Sequence, residues 1–477
     1  MARTRIDQHG APITGSAEAV ALYDAATDAW LRFSPGVVDL SGRLMTEHPD
    51  VPMGHALGAY LYLSSTDAPD VETAQALWSA LDALPLNQRE AAHRDAIGKW
   101  IAGDWSGAAR ALDEVLTRWP SDLTALQIGH ALDFFTGDAA NLRDRPGRAH
   151  FAIDPAHPHH GFVRGMHAFG LEESGDYGLA EANGRAAIAT NPDDVWAIHA
   201  IVHVFEMQGR IDEGIRFLME RRADWGAGNL FTVHNWWHLA IYLLEAGEID
   251  AALAIYDAEV HNANSQNVPL EMLDASALLW RLYLAGADTG GRFAPLADAW
   301  STRLDDPSWY VFNDVHAVMA LVGAGRIADA EQRVTELAGS VHRNGQGTNV
   351  AMTSEIGLPA SRAIIRYAQG RYDDVVAELF PIRRVYQHFG GSHAQRDALQ
   401  RTLLVAALRS NQNDLAAALT SERLSTRETS VYGWDMRAQV LRNQLRDEEA
   451  ASAEANATEY RNRFANAWKE LAVSGLA

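Results

Sequence analysis

Apolar residues along most of this chain recur three and four positions apart, within stretches rich in Ala, Leu, Glu and Arg. That spacing puts one apolar stripe on a helix. Alternating Val/Ile/Thr segments are few, and so are the Asn-Gly and Asp-Gly pairs that close hairpins. The pattern predicts an all-α chain. Between the helical stretches a glycine recurs: Gly103, Gly137, Gly175, Gly209, Gly247, Gly286, Gly325 and Gly370, separated by 34, 38, 34, 38, 39, 39 and 45 residues. One such glycine is common, because Gly takes the left-handed conformation at a helix end without strain. So regular a series predicts a repeat of two helices, one before each glycine and one after.

Around Gly175 the offsets sharpen: Ala180, Ala187 and Pro192 stand at +5, +12 and +17, and Gly103, Ala108 and Pro120 keep three of those four places. This resembles the tetratricopeptide (TPR) consensus of small residues where two helices touch, with a proline before the next unit. Such pairs cannot bury their apolar faces alone and must stack. The prediction is a TPR-like α-solenoid, a right-handed superhelix whose concave face is lined mainly by the first helix of each pair. Residues 1–90 read as an N-terminal helical cap that includes Val51-Pro-Met-Gly-His55, residues 91–385 as the repeats, and residues 386–477 as C-terminal helices closing the solenoid. Turn signals weaken in that last part to Asn413-Asp414, and the charged, Ala-rich run from Asp447 to Lys469 suits a terminal cap with a polar outer face.

Composition narrows the chemistry. The 477 residues are 47% hydrophobic with 14 Trp, enough for a large core, and contain no cysteine, which removes disulfides, thiolate catalysis and Cys-ligated metal. A formal charge of −22, from 40 basic and 62 acidic residues, is spread without a basic block and argues against a nucleic-acid or anionic-membrane partner. The start, MARTRIDQHGAPITGS, turns polar where a signal peptide has its apolar centre, and no run of 18 uncharged apolar residues follows. A cytoplasmic protein is expected.

Histidine is concentrated: 11 of 19 lie between His93 and His238. His199 and His203 stand four apart in the apolar run Trp196 to Glu206, and His234 and His238 repeat the spacing one unit later. Counted back from the turn glycines, His93 and His199 fall at −10, His203 and Trp280 at −6, His234 at −13, His238 and His316 at −9 and Glu206 at −3. In TPR-like arrays the offsets −13, −10, −6 and −3 face the groove. His199, His203 and Glu206 therefore form one helical stripe, and His234 with His238 a second on the next front helix.

Three readings of these residues stand side by side. Each histidine can be a helix residue hydrogen-bonded to a nearby carbonyl or carboxylate, although several buried imidazoles need as many dedicated partners. Two histidines four apart with a carboxylate can bind a divalent metal such as zinc, but the glutamate that would act as base within an H-E-x-x-H motif is absent here. Without metal, His199, His203, Glu206, His234, His238, Asp314 and His316 can act as general acids and bases on a small molecule. Candidate ligand-binding residues are His93, His130, His167, Asn235, Trp237, Trp280, Arg396 and Asp397, with further indole walls from Trp236 and Trp309. His157-Pro-His159-His160 is expected in a solvated connector because of its prolines. Gly390-Gly-Ser392 reads as a turn with Ser392 capping a helix. Nucleotide loops and nucleophile elbows are missing.

Several motifs together resemble the tetratricopeptide repeat protein 38 family: His199-x3-His203-x2-Glu206-Met, His234-Asn-x-Trp237-His238, Ile255-Tyr-Asp257, Phe312-Asn-Asp314-x-His316, Gly357-Leu-Pro359 and Gly390-Gly-Ser392-x-Ala-Gln395-Arg396-Asp397. Met53-Gly-His55-Ala, Pro85-Leu-x2-Arg89-Glu-x2-His93 and His130 belong to the same pattern, which spans roughly residues 20–420. The resemblance implies a TPR-like solenoid and puts His93, His130, His199, His203, Glu206, His234, Asn235, Trp237, His238, Asp314, His316, Arg396 and Asp397 at motif positions. It implies no settled activity. The expectation taken forward is a small polar or aromatic ligand in a His/Trp/carboxylate-lined groove, acted on by hydrolase- or lyase-type chemistry without a cofactor. The alternatives are a peptide-binding scaffold and a metal-dependent hydrolase.

Overall fold

The structure, a computed structural model, describes residues 4–344 and 346–473. It is an all-α, TPR-like solenoid. Helix pairs flank the predicted glycines, as in Val195–Met207 with Ile211–Glu220 around Gly209 and Thr232–Glu245 with Ile249–Ile255 around Gly247. All eight glycines have φ between +68° and +84°, the left-handed region in which a Cβ is disfavoured.

The C-terminal turns were faint in the sequence because other residues take that conformation. Asn411 and Leu445 have φ of 57° and 60° between the helices His393–Arg409 and Asn413–Thr426, and between Val431–Asn443 and Asp447–Val473. The one β element among the described residues is an N-terminal hairpin, Thr4–Ile6 paired antiparallel with Pro12–Thr14. Its three-residue strands are too short to give a period-two signal.

A single apolar cluster runs from Ile13 to Leu471. The stack also closes on itself. Leu230 N–H donates to the Phe33 carbonyl (2.7 Å), Asn313 Nδ2 to the Thr66 carbonyl (3.1 Å) and Thr348 N–H to the Gly103 carbonyl (3.0 Å), joining early helices to late ones. His393 N–H donates to Glu173 (2.7 Å), which brings the helix His393–Arg409 against the third repeat. Ser392 caps that helix in a reciprocal capping box with Gln395. No described helix is long and apolar enough to cross a membrane.

Candidate metal centre

The helix Val195–Met207 is apolar on nearly every face, and Asp194 caps it by accepting from Ala197 N–H. A helix apolar all round packs on several sides, so its polar residues are forced into contacts with neighbouring helices. The next front helix, Thr232–Glu245, behaves in the same way. His199, His203, His234 and His238 meet where these two helices adjoin.

One ring nitrogen from each of the four lies within 4.8 Å of the others. His234 Nε2 is 3.1 Å from His199 Nε2 and 3.2 Å from His238 Nε2. Nitrogens sharing a tetrahedral ion through bonds of ~2.0–2.1 Å sit roughly 3.3 Å apart. Ring centres are 4.3 Å apart for His199 and His203, 4.6 Å for His203 and His238, and 4.8 Å for His234 and His238.

Behind the rings stand carboxylates. His234 Nδ1 is 2.7 Å from Asp274, His238 Nδ1 3.4 Å from Glu206, and His203 Nδ1 3.5 Å from Glu172. At His234 the hydrogen-bonded Asp274 carboxylate fixes the Nδ1–H tautomer and leaves Nε2 to face the other rings, the arrangement that metal-ligating histidines use, whereas Glu206 and Glu172 stand near their rings without a hydrogen bond. His199 Nδ1, both nitrogens of His203 and both oxygens of Glu172 are buried without a hydrogen-bond partner. Each such group costs about 1–3 kcal/mol when left unsatisfied.

Burial holds His199, His203 and His238 far below the usual imidazole range, reinforced by neighbouring histidines for the first two and by His234 and Arg281 for His238. Burial raises Glu172 strongly and Glu206 to a lesser degree, with Glu173 adding repulsion at Glu172. Phe169, Trp196, Phe231 and Trp237 wall the rings; Trp237 stacks on His234 at 5.2 Å.

The remaining candidates lie elsewhere. His93 bonds Asp122 (3.0 Å) and Tyr60 in an N-terminal network with Arg89. His130 accepts from Trp196 Nε1 (3.1 Å), one ring away from His199. His167 lies near His150 on another seam. Asp314 is clamped by Arg333 and Ser308, and His316 Nδ1 faces the Phe312 carbonyl (2.7 Å), so neither joins the four histidines. Trp280 Nε1 donates to Thr402 (2.9 Å). Arg396 pairs with Glu173 (2.9 Å), and Asp397 is held by Arg401 and Arg423. Asn235 is fully buried with neither amide atom partnered. Glu172 and Asp274 escaped the sequence reading. Glu172 had a usable signal, since it stands at −3 from Gly175 as Glu206 does from Gly209.

No family model matches the chain. Among solved structures it is similar to the human IFIT1 dimer with PPP-AAAA, at 11% identity over 95% of each chain and a TM-score of 0.41. The TPR domain of P58(IPK) matches at 12% identity over 81% of this chain and 99% of that one, with a TM-score of 0.21. The APC/C hetero-tetramer Cut9-Hcn1 matches at 11% over 95% and 96%, with a TM-score of 0.29. Human IFIT1 is seen with PPP-AAAA and with m7Gppp-AAAA. For this chain one expectation is corrected: the acidic charge does not rule out a nucleic-acid partner. Net charge is a sum over the whole surface and does not exclude a local nucleic-acid site.

Proposed function

We propose that this protein is a metalloprotein whose solenoid holds a divalent transition-metal ion between His199, His203, His234 and His238. The observation that carries this reading is the convergence of four imidazoles with carboxylates at the Nδ1 side of three of them. An all-imidazole donor set suits zinc, iron, copper or nickel rather than magnesium or calcium, which take oxygen ligands. Two of the nitrogen–nitrogen distances, 3.1 and 3.2 Å, match the spacing of a tetrahedral zinc site. Asp274 orients His234 and offsets the ion's charge, while Glu206 and Glu172 stand behind His238 and His203 at 3.4 and 3.5 Å.

Metal-free acid–base catalysis by the same residues has less support. A general base works best with a pKa near the operating pH, and burial drives three of these rings far below it. A cavity beside Glu206, Arg281 and Asp397 measures about 20 Å³. That is room for a water, against several hundred Å³ for an organic ligand. The metal-bearing residues coincide with motif positions of the tetratricopeptide repeat protein 38 family, and we infer kinship with that family on this ground.

The test is metal content after chelation and re-addition at chelator-buffered micromolar zinc, with cobalt substitution to report a tetrahedral nitrogen set by its visible bands. Wild type is expected to take up an equivalent that the His203→Gln/His238→Gln variant loses while keeping its helical circular dichroism. Equal uptake by wild type and that variant refutes the centre.

A further inference from the structure

The connector expected to be solvated is so only in part: residues 154–156 and 158 are exposed, whereas His159 and His160 are buried. His159 is 4% exposed and His9, from the tip of the N-terminal hairpin, is 8% exposed. His157 is half-buried beside them, with its Nδ1 accepting from His159 N–H (3.1 Å) and its Nε2 3.3 Å from the Gln8 carbonyl, so an ion would take the place of one of these contacts. His9 Nε2 is 2.8 Å from His159 Nδ1, and one ring nitrogen from each of the three lies within 4.8 Å of the others. The ring centres form a nearly equilateral triangle of 5.3, 5.1 and 5.1 Å. Imidazoles sharing an ion through bonds of ~2.0–2.1 Å have centres roughly 5 Å apart. The far nitrogen of His159, Nε2, is 2.9 Å from Asp28, repeating the carboxylate–imidazole arrangement of the central site.

We propose that His9, His157 and His159 form a second metal site, for a zinc-class divalent ion, that staples the N-terminal hairpin to the connector ahead of the helix His160–Glu173. The hairpin is anchored to the first helices by Ile13, which is buried in the main apolar cluster, and by bonds from Gln8 to Asp24, and the ion would add a tie to the later connector. Two strands of three residues are marginal on their own, and further anchors include the buried Asp7–Arg89 pair (2.8 Å), the Thr14–Glu90 bonds and the Ser121 hydroxyl donating to the His9 carbonyl. His9 lies 150 residues from His159 in sequence, and an ion binding all three rings must hold those segments together. With three protein ligands, the fourth position is left for water.

The experiment uses the full chain in four forms: wild type, His157→Gln, His203→Gln/His238→Gln, and all three substitutions combined. Zinc stoichiometry is measured at chelator-buffered micromolar zinc, and amide hydrogen exchange is followed at residues 4–14. The proposal expects His157→Gln to bind one equivalent fewer than wild type. It also expects zinc to slow hairpin exchange at least tenfold in wild type and in the central-site variant, but not in His157→Gln. Equal stoichiometry in wild type and His157→Gln, or hairpin exchange indifferent to zinc, overturns it. Since His157 is not part of the central site, its two arms read this site even where the central variant fails to fold.

Discussion

Asp274→Asn separates a metal centre from a merely packed histidine cluster. Asp274 is almost fully buried on the helix Pro269–Leu284 and uses both oxygens: Oδ2 accepts from His234 Nδ1 at 2.7 Å and Oδ1 from Gln395 Nε2 at 3.3 Å. Asparagine has nearly the same shape but a single acceptor oxygen. If that oxygen stays on His234, its amide N–H groups face the Gln395 amide donor; if it turns to Gln395, His234 loses its orienting charge. Removing a carboxylate that backs a ligating imidazole typically costs 10–100-fold in metal affinity, or about 1.4–2.7 kcal/mol. The assay is competition for zinc against a chromophoric chelator at fixed pH, with unfolding of the metal-free protein measured alongside. The expected result is weaker zinc binding by that factor, beyond any change in metal-free stability. Zinc affinity within twofold of wild type would show that Asp274 only packs, and its assignment as an orienting group would fail.

Other perturbations test the fold. Arg89 is buried between Asp7 (2.8 Å) and Asp122 (2.7 Å), so Arg89→Met leaves two uncompensated carboxylates and is expected to lower stability by about 3–5 kcal/mol in urea unfolding. A loss below 1 kcal/mol refutes that role. At Gly175, φ is +84° in open space, whereas a Cβ at Gly137 would sit 1.7 Å from the Gln387 carbonyl. Gly175→Ala should cost about 1 kcal/mol and Gly137→Ala clearly more, compared by thermal unfolding. Leu445 takes φ 60° while 87% exposed, so Leu445→Gly should raise stability by up to about 1 kcal/mol; a loss refutes the strain. Burial lowers His130 to about 3 and His316 to about 4, against 6.5 in the unfolded chain. Below pH 6.5 the unfolded chain therefore binds protons that the folded chain does not, and stability falls as pH drops. Each residue contributes about 3 kcal/mol of loss by pH 4. Urea unfolding of the chelated protein at pH 7, 6, 5 and 4 should show this; equal stability at pH 7 and 5 contradicts it.

The sequence alone determined what depends on neighbours a few residues away. Left-handed glycines end helices wherever they occur, so the repeat and its helix pairs are visible from spacing. The same i, i+4 geometry puts His199 beside His203 and His234 beside His238 within each helix. Past the last glycine the signal thins, because Asn411 and Leu445 reach the same backbone conformation without announcing it by residue type.

Only the tertiary structure decided which faces meet. Asp274 and Glu172 come from the repeats on either side of the central pair, and His9 reaches His159 from the far end of the chain. It likewise brought the late helix His393–Arg409 against the third repeat, where His393 N–H donates to Glu173. Helix periodicity states which residues share a stripe. The rotation and offset of one helix against the next come from how side chains of many sizes interlock, and that sum over the whole core leaves no local mark.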